Sequence, residues 1–244
     1  MYLREFESIL LDYRGILNDF RRKIENLIDQ GMDNIEKEWY LEANRSCILS
    51  QGEHGYKSIS EMDKIRQTIG DCRRCQLYLS RTNIVFGKGN TNAWLFIVGE
   101  GPGEEEDIQG EPFVGPAGQK LTQIIQAMGM EREDVYISNV VKCRPPGNRN
   151  PRREEIDACL PFLLEQIRVI KPLLILALGN VAAQSLLKTE KKISQLRGKF
   201  YDFQGIRLMP TYHPAFLLRN PERRRDVWED VKMIMKEFES LLKR

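Results

Sequence analysis

Leu3, Phe6, Leu10, Tyr13, Leu17, Phe20, Ile24 and Leu27 recur alternately three and four residues apart, with Ile9 and Ile16 beside them. That spacing is the apolar stripe of an amphipathic helix. Gly31 interrupts it, and Ile35, Trp39 and Leu41 mark a second helical piece. Residues 1–43 thus read as an amphipathic helical extension, whose stripe suits packing on its own domain, self-association or a protein partner. Residues 44–61 mix polar and Gly residues without periodicity and read as a linker.

From residue 62 to 244 the pattern changes. The segments "AWLFIVGE" (93–100), "DVYISNVV" (134–141) and "LLILALG" (173–179) are short apolar runs bounded by Gly or charged residues, which predicts buried strands. Helical periodicity separates them at 118–128, where Leu121, Ile124, Ile125 and Met128 share a face, and again at 152–170. A fourth strand, "IRLMP", follows the "QG" turn at 204–205, with "KFYDF" as its hairpin mate. A last helix starts near residue 221. Alternating strands and helices with uninterrupted apolar strands predict an α/β fold: three αβα layers around a central, four-stranded, mostly parallel sheet.

Composition narrows the class. With 244 residues the chain can bury a sizeable core. It holds no apolar run of about 18 residues and no signal-peptide pattern, so the expectation is a cytoplasmic protein with no membrane partner. Charge is uneven: residues 1–62 carry 8 Lys/Arg against 12 Asp/Glu, and the remainder 29 against 23. A basic body is compatible with nucleic-acid binding.

Ligands of an open parallel sheet bind beyond the carboxyl ends of its strands. The first strand runs into "GEGPGEEEDIQGEPFVGPAG", the second into "SNVVKCRPPGNRNP" and the fourth into "TYHPAFLLRNP". Three polar, Gly/Pro-rich loops therefore converge on one edge, bringing one of only two histidines, His213, with them. The first loop is no phosphate loop, because no Gly-Lys-Ser/Thr follows and its acids would repel phosphate.

Five cysteines in a chain this long do not form a secreted disulfide framework. Cys72 and Cys75 make a C-x-x-C pair, and Cys143 and Cys159 flank the second loop and the following helix, leaving Cys47 as the spare. Four thiolates without histidine suit either a structural zinc or a cubane iron–sulfur cluster. Either would rigidify a loop carrying Arg144, Arg149, Arg152 and Arg153, a device suited to holding a phosphate backbone.

The motifs "GEGPGEEED", "PFVGPAGQKL", "SNVVKCRPPGNRNP" and "HPAFLLRNP", together with the four cysteines, closely resemble the family 4 uracil-DNA glycosylases, over roughly residues 62–240. The resemblance implies an enzyme that flips uracil out of single- or double-stranded DNA and hydrolyses its N-glycosidic bond. It also implies a structural [4Fe–4S] cluster on Cys72, Cys75, Cys143 and Cys159. A zinc-stabilised, non-catalytic nucleic-acid-binding relative is the alternative.

On that resemblance the loops acquire roles. The Asn139 amide would accept from uracil N3–H and donate to O4, a pattern cytosine presents in reverse. Phe113 would stack on the base. His213 would donate to O2 as negative charge grows there, in a protonation state the sequence leaves open. The 101–103 turn (Gly101, Pro102, Gly103) would present backbone to the base. Glu100, Glu106 and Asp107 are the carboxylates available to hold water or stabilise the sugar cation, and Glu106 could instead exclude the thymine methyl. Leu217 or Leu218 would fill the vacated stack, while Arg144, Arg149, Arg219 and Arg223–Arg225 would hold phosphates. The loop "GNRNPRREEID" contains no histidine to trap a product covalently, so turnover is expected.

Overall fold

The computed structural model describes residues 54–242. The helical reading of 1–43 and the linker reading up to residue 53 lie outside the described residues. The rest of the linker does not survive: α1 (His54–Ile69) is already helical there. Met62, Ile65 and Ile69 bury one face of it, and a helix anchored on such a face propagates cheaply into the polar residues before it.

The sheet has six strands: β1 (Lys88–Gly89), β2 (Leu95–Gly99), β3 (Tyr136–Asn139), β4 (Leu174–Leu178), β5 (Tyr201–Phe203) and β6 (Ile206–Thr211), in the order β1-β3-β2-β4-β6-β5. The four inner strands are parallel, as their apolar runs require; every residue of β2, β3 and β4 is buried. Two short antiparallel edges close the sheet, β1 on β3 and β5 on β6. Gln204 and Gly205, both at positive φ, make the two-residue turn between β5 and β6.

Between the strands run α2 (Glu104–Gln109), α3 (Pro116–Ala127), α4 (Arg153–Ile170), α5 (Gly179–Leu187) and α6 (Ile193–Leu196), and after β6 come α7 (Pro214–Arg219) and α8 (Arg224–Leu242). The chain leaves β2 for β3 on one side and crosses back to β4 on the other, so right-handed connections put α3 and α4 on opposite faces. The chain reverses beside β2, and the crevice at such a reversal is where a ligand fits. Val227, Val231, Ile234 and Phe238 bury one stripe of α8, and Phe238 stacks on Trp94 at 3.7 Å, at the entrance to β2. No described helix is long and apolar enough to cross a membrane.

Candidate active site

A cleft of about 590 Å³ opens at the carboxyl ends of the parallel strands. β2 delivers Glu100 and the 101–103 turn, β3 ends on Asn139, and β6 leads to His213; all of them line the cleft with Phe113, Leu218 and Arg219. Parallel pairing of Gly99 with Asn139 sets the depth at which the Asn139 side chain enters.

Asn139 is 1% exposed, and its Oδ1 is the one buried side-chain nitrogen or oxygen among the described residues without a hydrogen-bond partner. An unmet acceptor in a dry place costs about 1–3 kcal/mol unless something arrives to satisfy it. Beside it stands the Phe113 ring, close enough that a Cβ on Gly99 would lie 2.3 Å from Oδ1 and 2.5 Å from Phe113 Cζ. The same ring faces the imidazole of His213, centroid to centroid 5.6 Å at 30°. A polar edge, an aromatic face and an imidazole thus surround a space fit for a flat, polar-edged ring.

Phe113 is held in an uncommon backbone state, φ +54°. Two features keep it there. Gly118 lets α3 approach so closely that a Cβ would come 1.9 Å from the Phe113 carbonyl oxygen. Glu106 accepts from the N–H groups of Val114 and Gly115, both at 2.9 Å, and from Gly103 N–H at 3.1 Å. Its carboxylate therefore staples the 101–103 turn to the Phe113 turn. Asp107, 2% exposed, accepts from Thr82 and Asn83 N–H and faces away from the cleft chemistry. Of these three carboxylates, that of Glu100 alone has no hydrogen bond or ion pair with the described residues, and burial raises its pKa above the usual carboxylate range. Gly101 leaves no room for a side chain as Val141 stands, since a Cβ would meet Val141 Cγ2 at 2.7 Å.

His213 caps α7: its Nδ1 accepts from Ala215 N–H at 3.1 Å. Burial, reinforced by the Arg219 charge, lowers its pKa to about 4. That makes the imidazole neutral at pH 7, and with Nδ1 accepting from Ala215 its proton sits on Nε2. Gly179, at φ +85° at the start of α5, lies so close to His213 that a Cβ there would come 3.0 Å from His213 Cβ.

Three expectations change on the basic rim. Leu217 is 1% exposed and belongs to the core, whereas Leu218 is 47% exposed at the cleft; the helical turn of α7 can present only one of two adjacent residues outward. Arg149 is not free for phosphate. It clasps Glu155 at 2.8 and 2.6 Å, a carboxylate 2% exposed that also accepts from Arg152 N–H at 2.7 Å and caps α4, and Arg149 holds its carboxyl below the usual range. Arg144 donates to Asn148 at 2.7 Å and pairs with Glu104 at 3.2 Å. Arg219 is exposed at the cleft, and its guanidinium makes no hydrogen bond or ion pair with the described residues.

Behind the cleft, Cys72, Cys75, Cys143 and Cys159 line one small cavity of about 20 Å³. Among the described residues no three of His, Cys, Asp and Glu converge on a single-ion site. N–H groups are aimed at three of the sulfurs: Arg74 at Cys72 (3.3 Å), Arg81 at Cys143 (3.5 Å) and the Lys142 backbone at Cys159 (3.2 Å). Burial raises the pKa of Cys75, Cys143 and Cys159, that of Cys143 to about 12. Donors pointing at Cys143 and Cys159, whose thiols burial keeps protonated, fit a group whose positive charge would turn those thiols into thiolates.

Residues 86–232 match the model of the uracil DNA glycosylase superfamily. The chain belongs to that superfamily. It is 49% identical over 175 residues to a type-4 uracil-DNA glycosylase of Thermotoga maritima, covering 70% of this chain and 91% of the relative. A type-4 uracil-DNA glycosylase of Pyrobaculum aerophilum is 44% identical over 183 residues, 71% of this chain and 92% of the relative. A type-5 uracil-DNA glycosylase of the same organism is 30% identical over 175 residues, 65% of this chain and 77% of the relative.

Sequence reasoning missed Lys142, fully buried behind Asn139 with its pKa lowered by burial to about 8. A lysine in "NVVKCR" reads as a solvated loop residue, and only its position between an apolar pair and a cysteine hinted otherwise. Glu155 and Gly99 were missed for the same reason: their contacts cannot be read from local sequence.

Proposed function

We propose that this superfamily member is a DNA-repair glycosylase that excises uracil from DNA, single- or double-stranded, releasing the free base and leaving an abasic site. The unpartnered Asn139 Oδ1 beside Phe113 carries the reading. Uracil offers N3–H to that oxygen and O4 to the amide nitrogen, and Phe113 covers its face; cytosine would leave both amide atoms mismatched.

Breaking the glycosidic bond leaves negative charge on the uracil O2 as the sugar becomes cationic. The neutral His213 donates from Nε2 to O2, and the 101–103 backbone lies beside the base, so stabilisation strengthens as charge develops. Glu100 is the uncommitted carboxylate for the water or the cation, and Glu106 acts as a positioning residue through the two turns it joins. Leu218 replaces the extruded nucleotide in the stack, with Arg219 and the Arg144 loop on the phosphates.

The four cysteines would hold a [4Fe–4S] cluster, because their sulfurs border a cavity rather than meet at a point and attract N–H donors. When bound it supplies a crosslink between the segment after α1 and the Arg-bearing loop before α4. The test is excision from a labelled oligonucleotide with verified iron content, comparing wild type with Asn139→Ala on uracil and thymine strands. Uracil-only excision falling about 10²-fold or more in the variant is expected; an iron-loaded wild type that releases no uracil would discard the enzyme.

A further inference from the structure

Lys142 is 2% exposed, and no carboxylate pairs with it among the described residues. Burying an ammonium costs several kcal/mol unless its donors are met. Here all three are: Nζ donates to Ser138 Oγ, to Gln166 Oε1 at 2.7 Å and to the backbone carbonyl of Asn139 at 2.9 Å. Gln166 is itself fixed by donating Nε2–H to the Phe86 carbonyl at 2.9 Å, so the anchor reaches from α4 to the segment before β1. At the other end of the residue, the Lys142 N–H donates to Cys159 Sγ, its carbonyl accepts from Val85 N–H at 2.8 Å, and Cys143 follows in sequence.

β3 ends at Asn139; just beyond it the N–H groups of Val140 and Val141 still donate to the Gly99 and Glu100 carbonyls, at 3.0 and 3.1 Å, while the Asn139 carbonyl itself is held by Lys142 Nζ. A neutral apolar residue would fill the space of Lys142 at lower cost, and Ser138 Oγ would still donate to Gln166 Oε1 at 3.0 Å, but the Asn139 carbonyl would lose the partner it has here. We propose that Lys142 is a positioning residue of the base pocket, clamping the main chain of Asn139 to the cysteine-bearing loop so that the amide meets the uracil edge. This rests on the reading of Asn139 as the base-reading residue.

A double-mutant cycle on the full-length, iron-loaded protein tests it, with single-turnover excision and inhibition by free uracil as readouts. Lys142→Met is expected to slow excision about 10- to 100-fold and to weaken inhibition by uracil by a comparable factor, while affinity for abasic-site duplex changes less than about threefold. In the Asn139→Ala background the same change costs less than about threefold, because residues acting as one unit are non-additive. Multiplying losses, or uracil inhibition unchanged, would overturn the proposal. If Lys142→Met does not fold, Ser138→Ala, which removes one of the three acceptors, runs through the same cycle. It is expected to give the same non-additive pattern at smaller amplitude, and multiplying losses would overturn the proposal there too. Wild-type excision by Asn139→Ala would instead remove the base-reading assignment, and the lysine's role with it.

Discussion

Gly99 and Asn139 face each other across β2 and β3 so tightly that a methyl group on the first would sit 2.3 Å from the amide oxygen of the second. The glycine is therefore a condition for the asparagine's pose, not a flexible joint. Gly99→Ala is expected to cut uracil excision at least about 100-fold by displacing Asn139 or Phe113. Excision at the wild-type rate, with retained iron, would show that the amide sits elsewhere during the reaction.

His213 and Glu100 predict the acid side of the pH profile. His213 is neutral until about pH 4, so excision does not rise on acidification from pH 7 as it would if an imidazolium were required. Glu100 protonates above the usual carboxylate range, so excision falls first through its titration, and Glu100→Gln flattens that limb at a lower plateau. Rates measured on single-stranded substrate, from neutral pH down towards the His213 titration, read both.

The same histidine links to stability. Its folded pKa of about 4 lies below the unfolded value, so the unfolded chain binds more protons between the two. Its contribution is complete above about pH 6.5, the ordinary histidine value, and is lost as pH falls towards 4. The stability gap between wild type and His213→Asn should shrink over that window, read by denaturant unfolding; a constant gap would contradict a neutral imidazole in the folded state.

Leu217 and Leu218 should separate cleanly. Leu217→Ala is expected to destabilise the fold by about 2–5 kcal/mol. Leu218→Ala should leave the melting temperature nearly unchanged and slow excision from duplex more than from single strands, since only a duplex has a stack to refill. Equal losses on both substrates would remove Leu218 from the stack.

The two arginines divide likewise. Arg219→Ala should weaken DNA binding and reduce the slope of log affinity against log salt by about 1. Arg149→Ala should chiefly destabilise, because it strands the buried Glu155 carboxylate. A salt slope changed by Arg149→Ala but not by Arg219→Ala would reverse these roles.

The parallel strands, the crossover helices and the loops that meet at their ends were legible because burial on both faces writes continuous apolar runs, and topology then dictates which loops converge. The 204–205 turn was legible from local chemistry alone. What sequence could not rank were neighbours with the same composition. Leu217 and Leu218 differ only in the phase of a six-residue helix, and Arg149 differs from Arg219 only in having Glu155 within reach. Glu100 and Glu106 are both acids beside a glycine turn, yet one is stapled to three amides and the other to none. The start of α1 was hidden because the Gly and Ser residues around Tyr56 and Ile59 mask the spacing by which these two continue the stripe of Met62, Ile65 and Ile69.

Phe113 keeps a left-handed backbone that glycine would adopt more readily, under the joint hold of Glu106 and the close-packed Gly118. Such a residue costs about 1–3 kcal/mol, borne by the folded protein long before any DNA is near. On the proposed reading of Phe113 as the floor under the base, that floor is a wound spring with its catch already set. An incoming nucleotide has only to rotate into place, and none of its binding energy is diverted to shaping the surface it lands on.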